Sequence, residues 1–389
     1  MSDQLAYAIL TPHALTRSRT GGIISRLAAR SGLDLVGARM FSPGLDLVRE
    51  YAEAIVSKAD PQEPRIQELI RDYVLENFSE DSSGRRKRVM VLLFHGEDAV
   101  SKVRSVVGNF VPGKRGGQSI RDTYGDLVMD ENENVRYFEP TVLAAPTVEE
   151  AEAKLRIWTQ HSDTDGGVLE NVVAYEAGEQ PERTLVLLKP DNFRFVSGRP
   201  GNMIDFFSRT GLFIVGIKLH RMSVAQALEF YGPVRDVLRT KLRGVVAAKA
   251  KTALEKELGF PIPGEEETKL GELLGPLFGE NQFENIVEFM AGRRPSACPL
   301  DERDQPGTEK CIALVYEGIN AVAKIRDVLG PTDPTKAPPG SIRREFGSNV
   351  MVNAAHASDS ADNAGREMGI VNVGENQFRR VVETFFGKA

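Results

Sequence analysis

The stretch "TLVLLKPDNFRFVSGRPGNMIDFFSRTGLFIVGIKL", Thr184 to Leu219, decides the fold because its pattern occurs twice in the chain. Its counterpart is "YAILTPHALTRSRTGGIISRLAARSGLDLVGARM", Tyr7 to Met40. Each opens with an apolar run that ends in a polar residue and Pro, "LLKP" or "ILTP". Each then passes through a Gly-containing turn into a segment of helical period, and closes on a Gly-started strand. A tyrosine follows an acidic helix in both, Tyr51 in "REY" and Tyr231 in "EFY".

The match resumes downstream. "RVMVLLFHGEDAVSKVRSVVG" (Arg88 to Gly108) parallels "CIALVYEGINAVAKIRDVLG" (Cys311 to Gly330), and "SIR" follows at Ser119 and at Ser341. Each copy reads as βαββαβ, the split-βαβ pattern of a ferredoxin-like α+β sandwich within the α/β class. The expectation is two such domains in tandem, each an antiparallel sheet covered by helices. The first spans 1–158, a Gly-, Asp- and Glu-rich linker 159–182, and the second 183–389. The second copy carries extra material at about 233–281, including the helix-prone "KAKTALEKELGF", and at 294–310. Insertions of this length sit on surfaces as lids or contact arms.

Composition narrows the function classes. Hydrophobic residues make up 41% and charged residues 27%, as in a globular protein with a core. No apolar run approaches the roughly 18 to 20 residues of a membrane span, and "MSDQLAYAILTPHALTR" lacks a signal-peptide pattern. Cys298 and Cys311 could close one loop, but two reduced thiols in a cytoplasmic protein is the expected reading. A net charge of -6 gives no global footprint for nucleic acid, and the basic run "GRRKR" (Gly84 to Arg88) reads as a solvated face. "GNFVPGKR" (Gly108 to Arg115) nearly spells a phosphate-binding loop, but ends in Arg where Ser or Thr should bind magnesium. A basic turn is the better reading.

The second copy gathers Lys189 at the end of its first strand, Tyr231 in a helix, Arg326, Thr332 and Arg343. Near its end "NAAHASDS" (Asn353 to Ser360) supplies Asn353, His356 and Ser358, and Glu367 follows in a helical stretch. Cations, hydroxyls, a histidine and one carboxylate suit a site that holds a polyphosphate and moves one phosphoryl group. Histidine can relay such a group covalently, and a carboxylate can set its tautomer.

Over nearly a whole domain, from "RTLVLLKPD" through "PGSIRREF" to "NAAHASDS", the second copy resembles nucleoside diphosphate kinases. The resemblance implies ping-pong transfer of the γ-phosphate of an NTP such as ATP to an NDP, through a phosphohistidine at His356. It implies that Lys189, Tyr231, Arg326, Thr332, Arg343 and Asn353 surround the phosphates and sugar, with Lys189 also catalytic, while Ser358 and Glu367 support the histidine. It implies magnesium held by the nucleotide phosphates instead of by protein ligands, nucleoside di- and triphosphates as partners, and a homo-oligomer. The family usually places a Phe pair after the tyrosine helix; here "NQFENIVEFM" aligns, leaving Gln282 before Phe283.

The same alignment strips the first copy of its chemistry. Thr11 stands for Lys189, Phe110 for Thr332 and Leu143 for His356, while Tyr51, Arg104 and Arg121 remain. A leucine cannot accept a phosphoryl group. "QHSDTD" (Gln160 to Asp165) echoes the histidine motif but falls in the linker. The first copy is expected to act structurally, completing a pseudo-dimer, with nucleotide binding through its surviving arginines as the other option. For the whole chain the competing reading is a nucleotide-binding regulatory or scaffold protein with little kinase activity. Nucleic-acid binding through "GRRKR" is the weakest reading.

Overall fold

The apolar runs of the repeat become the central strands of two four-stranded antiparallel sheets, in a computed structural model that describes residues 3–110, 118–132 and 134–388. The first copy runs β1 (Asp3–Leu10), α1 (Pro12–Thr16), α2 (Thr20–Ser31), β2 (Asp34–Phe41), α3 (Leu45–Glu53), α4 (Pro64–Asn77) and β3 (Val89–Glu97). It continues with α5 (Ala99–Val107), α6 (Ile120–Tyr124), β4 (Asp126–Met129), β5 (Val135–Glu139), β6 (Val142–Leu143) and α7 (Val148–Gln160). Its sheet has the order β2-β3-β1-β6, and every pairing is antiparallel. β4 and β5 form a separate two-stranded ribbon. The near-phosphate-loop segment extends into 111–117, outside the described residues.

The second copy runs β7 (Glu182–Leu188), α8 (Arg199–Ser208), β8 (Phe213–His220), α9 (Val224–Lys241), α10 (Arg243–Leu258) and α11 (Gly264–Ala291). Then come β9 (Cys311–Gly318), α12 (Ala321–Leu329), α13 (Ile342–Phe346), β10 (Ala355–Ala357), α14 (Ala361–Val371) and α15 (Gln377–Phe386). The order β10-β7-β9-β8 repeats that of the first sheet, strand for strand. The ferredoxin-like arrangement expected from the repeat is therefore present twice.

Two compact units divide the chain. One comprises Met1–Leu219 with Ile312–Ala389 and holds both sheets; the other, His220–Cys311, is helical. In the helical unit α9 and α11 each run through an internal proline, Pro233 and Pro276, so the helices cross both ends of the 233–281 insertion. Gly279 lies so close to Arg239 that a Cβ would meet its Cα at 2.5 Å, and Arg239 pairs with Glu280 at 2.8 Å.

In the unit with both sheets, the copies join backbone to backbone. α2 and α8 are equivalent helices that pack on one another through Gly21 and Gly201. A Cβ on Gly21 would come within 2.4 Å of the Asp205 amide nitrogen, and one on Gly201 within 2.3 Å of that of Ser25. The stretch between the copies bridges the exposed edges of both sheets: Gly167 N–H donates to Met40 O and Leu169 N–H to Val215 O. Covered edges do not template aggregation. Arg39 on β2 donates to the carbonyls of Ser162, Gly166, Gly374 and Glu375; its counterpart Lys218 on β8 donates to those of Val371 and Asn372 and pairs with Glu375. Finally α15 brings Phe378 edge-on to Phe41, whose ring also meets Trp158 at 4.9 Å. A helix of the second copy thus completes the core of the first.

One reading of the charge pattern needs correction. Arg88, last residue of "GRRKR", is buried: its Nη1 donates to Ile214 O at 2.8 Å and its guanidinium lies over Phe213. The run reaches solvent as far as Lys87, and β3, which begins immediately after Arg88, carries that residue inward.

Candidate active site

The site is built on the end of β7. β10 pairs antiparallel with it, setting His356 opposite Leu187. The turn into β10 puts Ala354 at φ 71°, a left-handed conformation that costs a non-glycine residue about 1–2 kcal/mol. Its carbonyl accepts from Lys189 N–H at 3.0 Å and Asn192 Nδ2 at 2.7 Å, and its N–H donates to Asp191 at 3.3 Å. These bonds hold the strained turn and fix where the histidine emerges. Sequence reasoning missed Asp191 and Asn192; "KPDN", with Asx-type residues at the end of a buried strand, carried the signal.

α14 supplies the carboxylate. Ser360 caps its N-terminus by accepting from Asn363 N–H, and helical spacing puts Ala364, Glu367 and Val371 on the buried face. Glu367 Oε2 accepts from Ser358 Oγ at 2.6 Å and meets His356 Nε2 at 2.9 Å. Ser358 is fully buried, whereas the imidazole keeps 24% of its side-chain surface. A buried carboxylate at one ring nitrogen and a partly exposed ring are what an oriented nucleophile requires.

Lys189, Asn353, Thr332 and Arg343 gather beside it. Lys189 Nζ donates to Asn353 Oδ1 at 2.9 Å and to Met351 O; Asn353 Nδ2 donates to Thr332 O and Val350 O. Arg343 spans Gly330 O at 3.0 Å and Ala355 O at 3.1 Å, the carbonyl next to the histidine. Burial pushes the Lys189 ammonium down to about 8; Asp191 opposes the shift and Arg343 adds to it. Arg326 is exposed on α12, and its charge, with that of His356, helps hold Asp359 below the usual carboxylate range, after the larger effect of the Asn363 hydrogen bond. Tyr231 belongs to the helical unit, half-buried on α9 with its ring 4.9 Å from that of Phe230. Phe283 is buried in α11 of that unit, and Gln282 before it is half-buried. Among the described residues no group of three or more His, Cys, Asp or Glu side chains is placed to hold a metal ion.

A family model described as nucleoside diphosphate kinase matches residues 4–163 and 305–375, more than half of the chain and parts of both copies. The chain belongs to the nucleoside diphosphate kinase family. A nucleoside diphosphate kinase of Staphylothermus marinus is 30% identical over 190 residues, covering 49% of this chain and 92% of that protein. One from Campylobacter hominis is 29% identical over 187 residues, with 48% and 92% covered. A solved nucleoside diphosphate kinase of Aquifex aeolicus is 27% identical, covering 49% of this chain and 95% of its own, at a TM-score of 0.32.

The other nucleoside diphosphate kinase-like sheet shows what becomes of the equivalent positions. β6 sets Leu143 opposite Ile9, as β10 sets His356 opposite Leu187. Thr141 repeats the left-handed turn of Ala354, and its carbonyl accepts from Thr11 N–H as that of Ala354 accepts from Lys189. Arg121 bonds the carbonyls of Gly108 and Val142 as Arg343 bonds those of Gly330 and Ala355. The Phe110 ring, however, covers the Arg121 guanidinium at 3.4 Å from its centroid. Glu139 from the β4–β5 ribbon is buried there, accepting from Thr11 Oγ1 at 3.1 Å, Thr141 N–H at 2.7 Å and Tyr73 OH at 2.7 Å. Where the second copy has an ammonium, the first has a carboxylate. His161 of "QHSDTD" sits at the C-terminus of α7, paired with Glu50 at 3.1 Å.

Proposed function

We propose that the second copy is a nucleoside diphosphate kinase site that passes the γ-phosphoryl group of an NTP to an NDP through His356. The observation that carries the reading is the triad of Glu367 with Ser358 Oγ and His356 Nε2 on a single carboxylate oxygen. With Nε2–H donated to Glu367, the lone pair lies on Nδ1, which attacks the γ-phosphorus as the bond to the β,γ-bridging oxygen breaks. NDP leaves, and an acceptor NDP reverses the step. Glu367 stabilises the positive charge that develops on the ring, and Ser358 fixes the carboxylate. Lys189, Arg326 and Arg343 neutralise phosphate oxygens, and Asn353 and Thr332 position the nucleotide. Magnesium would arrive on the nucleotide phosphates and supply further charge neutralisation there.

The first copy, on this reading, is structural: a phosphate approaching Thr11 would meet the buried Glu139, and Phe110 shields Arg121. Two copies in one chain supply a built-in pair, and a homo-oligomer of such chains is part of the same proposal. Cys298 and Cys311 are buried and not joined in a disulfide, which suits a cytoplasmic location. No helix among the described residues is long and apolar enough to cross a membrane. Incubation with γ-labelled ATP should label the wild type and not His356→Ala, and added NDP should discharge the label. Label retained in His356→Ala would overturn the proposal; binding of nucleotide without exchange would favour the scaffold reading.

A further inference from the structure

A cavity of about 280 Å³ lies between the two copies, walled by Leu15, Ser18, Thr20 and Arg88 from the first and by Ile204, Phe213 and Tyr316, among others, from the second. None of its residues belongs to the His356 site. Among the described residues of its lining Arg88 is the sole charged side chain; Glu317, bonded to Arg183 and Tyr175, acts on it only at longer range. Arg88 is 9% exposed, its one hydrogen bond among the described residues runs to Ile214 O, and none of their carboxylates lies within ion-pair distance. A buried cation with no directly paired counter-charge costs several kcal/mol unless something compensates it. Burial accordingly depresses Arg88 to about 10.

Two further features point to the same occupant. The Tyr316 hydroxyl is buried and has no hydrogen-bond partner among the described residues, although a lone buried hydroxyl is destabilising. The twelve-residue α2 begins at Thr20 in the cavity wall with no side chain capping it, so its first N–H groups and dipole present positive potential there. The remaining wall, Leu15, Ile204, Leu212 and Phe213, is apolar. We infer that this cavity binds a small organic oxyanion, its charged head on Arg88, Tyr316 and the start of α2 and its short apolar body against the leucine, isoleucine and phenylalanine side chains. A carboxylate and a phosphate monoester share that chemistry, and the volume sits just below the usual range for small-molecule sites, which sets the ligand at a few carbons. Such a ligand touches both copies, so it would tie them together.

The test uses the full chain and three probes, butyrate, ethyl phosphate and inorganic phosphate, each against sodium chloride at equal ionic strength. Isothermal titration gives affinity, and thermal unfolding should show a rise in Tm of about 2 °C at tenfold saturation. Binding of butyrate alone assigns a carboxylate, of ethyl phosphate alone a phosphate ester, and of both a general oxyanion site; binding of inorganic phosphate alone, or of no probe, overturns the inference. Arg88→Met should abolish the response while Arg343→Met keeps it. The reverse pattern places the anion at the His356 site and overturns the inference. If Arg88→Met does not fold, Tyr316→Phe decides, since removing one unpartnered oxygen leaves packing intact. A roughly fivefold weaker affinity supports the site, and an unchanged affinity overturns it.

Discussion

Raising the pH from 7 to 9 should weaken nucleotide binding about tenfold through Lys189 alone. Burial holds its ammonium at about 8, against 10.5 for an ordinary lysine. At pH 7 about nine-tenths of the free protein carries the proton, and at pH 9 about one-tenth. Bound phosphates favour the ammonium and move its pKa above 8, so binding above pH 8 must take up a proton. Each pH unit then costs about 1.4 kcal/mol until the pKa of the complex is reached. Folding runs the other way. Between pH 8 and 10.5 the unfolded lysine holds a proton that the folded one has released, so the unliganded fold gains up to about 3 kcal/mol across that window from this residue. The assay is calorimetric titration with ADP in two buffers of different ionisation enthalpy, which counts protons. About 0.1 proton should be taken up at pH 7 and close to one at pH 9, and Lys189→Met should show neither uptake nor slope. An affinity flat from pH 7 to 9 in the wild type, or the same slope in Lys189→Met, would refute the reasoning.

Other perturbations test other parts of the structure. Glu367→Gln keeps the shape of the triad but removes its charge, and should slow phosphoryl labelling of His356 about a hundredfold in rapid-quench measurements. Leu143→His in a His356→Ala background should remain unlabelled by γ-labelled ATP, because Thr11 and Glu139 still occupy the place of the phosphate-binding lysine. Gly21→Val forces a side chain into the Asp205 backbone and should cost at least 1–3 kcal/mol in urea unfolding, with α2 and α8 driven apart. Phe378→Ala removes a ring that is 1% exposed and should cost about 3–5 kcal/mol, read by the same unfolding curve through Trp158 fluorescence.

Much of this was legible in the residues. Strand order and pairing follow from the repeated "ILTP" and "LLKP" openings, since a duplicated hydrophobic pattern permits only a duplicated sheet. The register of Leu143 against Ile9 could likewise be counted from that of His356 against Leu187. Glu139 could not be foreseen, because it arrives on a ribbon, β4 and β5, that has no counterpart in the second sheet. Nor could the burial of Arg88, which depends on a neighbouring copy that a charge pattern does not register. The helical unit was underread for a local reason: Pro233 and Pro276 look like helix breaks, yet each helix runs on through its proline. The amphipathic pattern of α15 announces a buried face but is silent on which copy receives it.

That last helix has a consequence for how the protein comes into being. Arg39 finds its carbonyl partner Gly374 at a separation of 335 residues, and Phe41 finds Phe378 just beyond. During synthesis the first copy emerges with its aromatic cluster unfinished, and that cluster stays open until Phe378 follows. The two halves are therefore born in sequence but mature together. A lesion that removes α15 would leave the earlier copy incomplete, and a chaperone that recognises exposed aromatic surface would have Phe41 and Trp158 to hold in the interval.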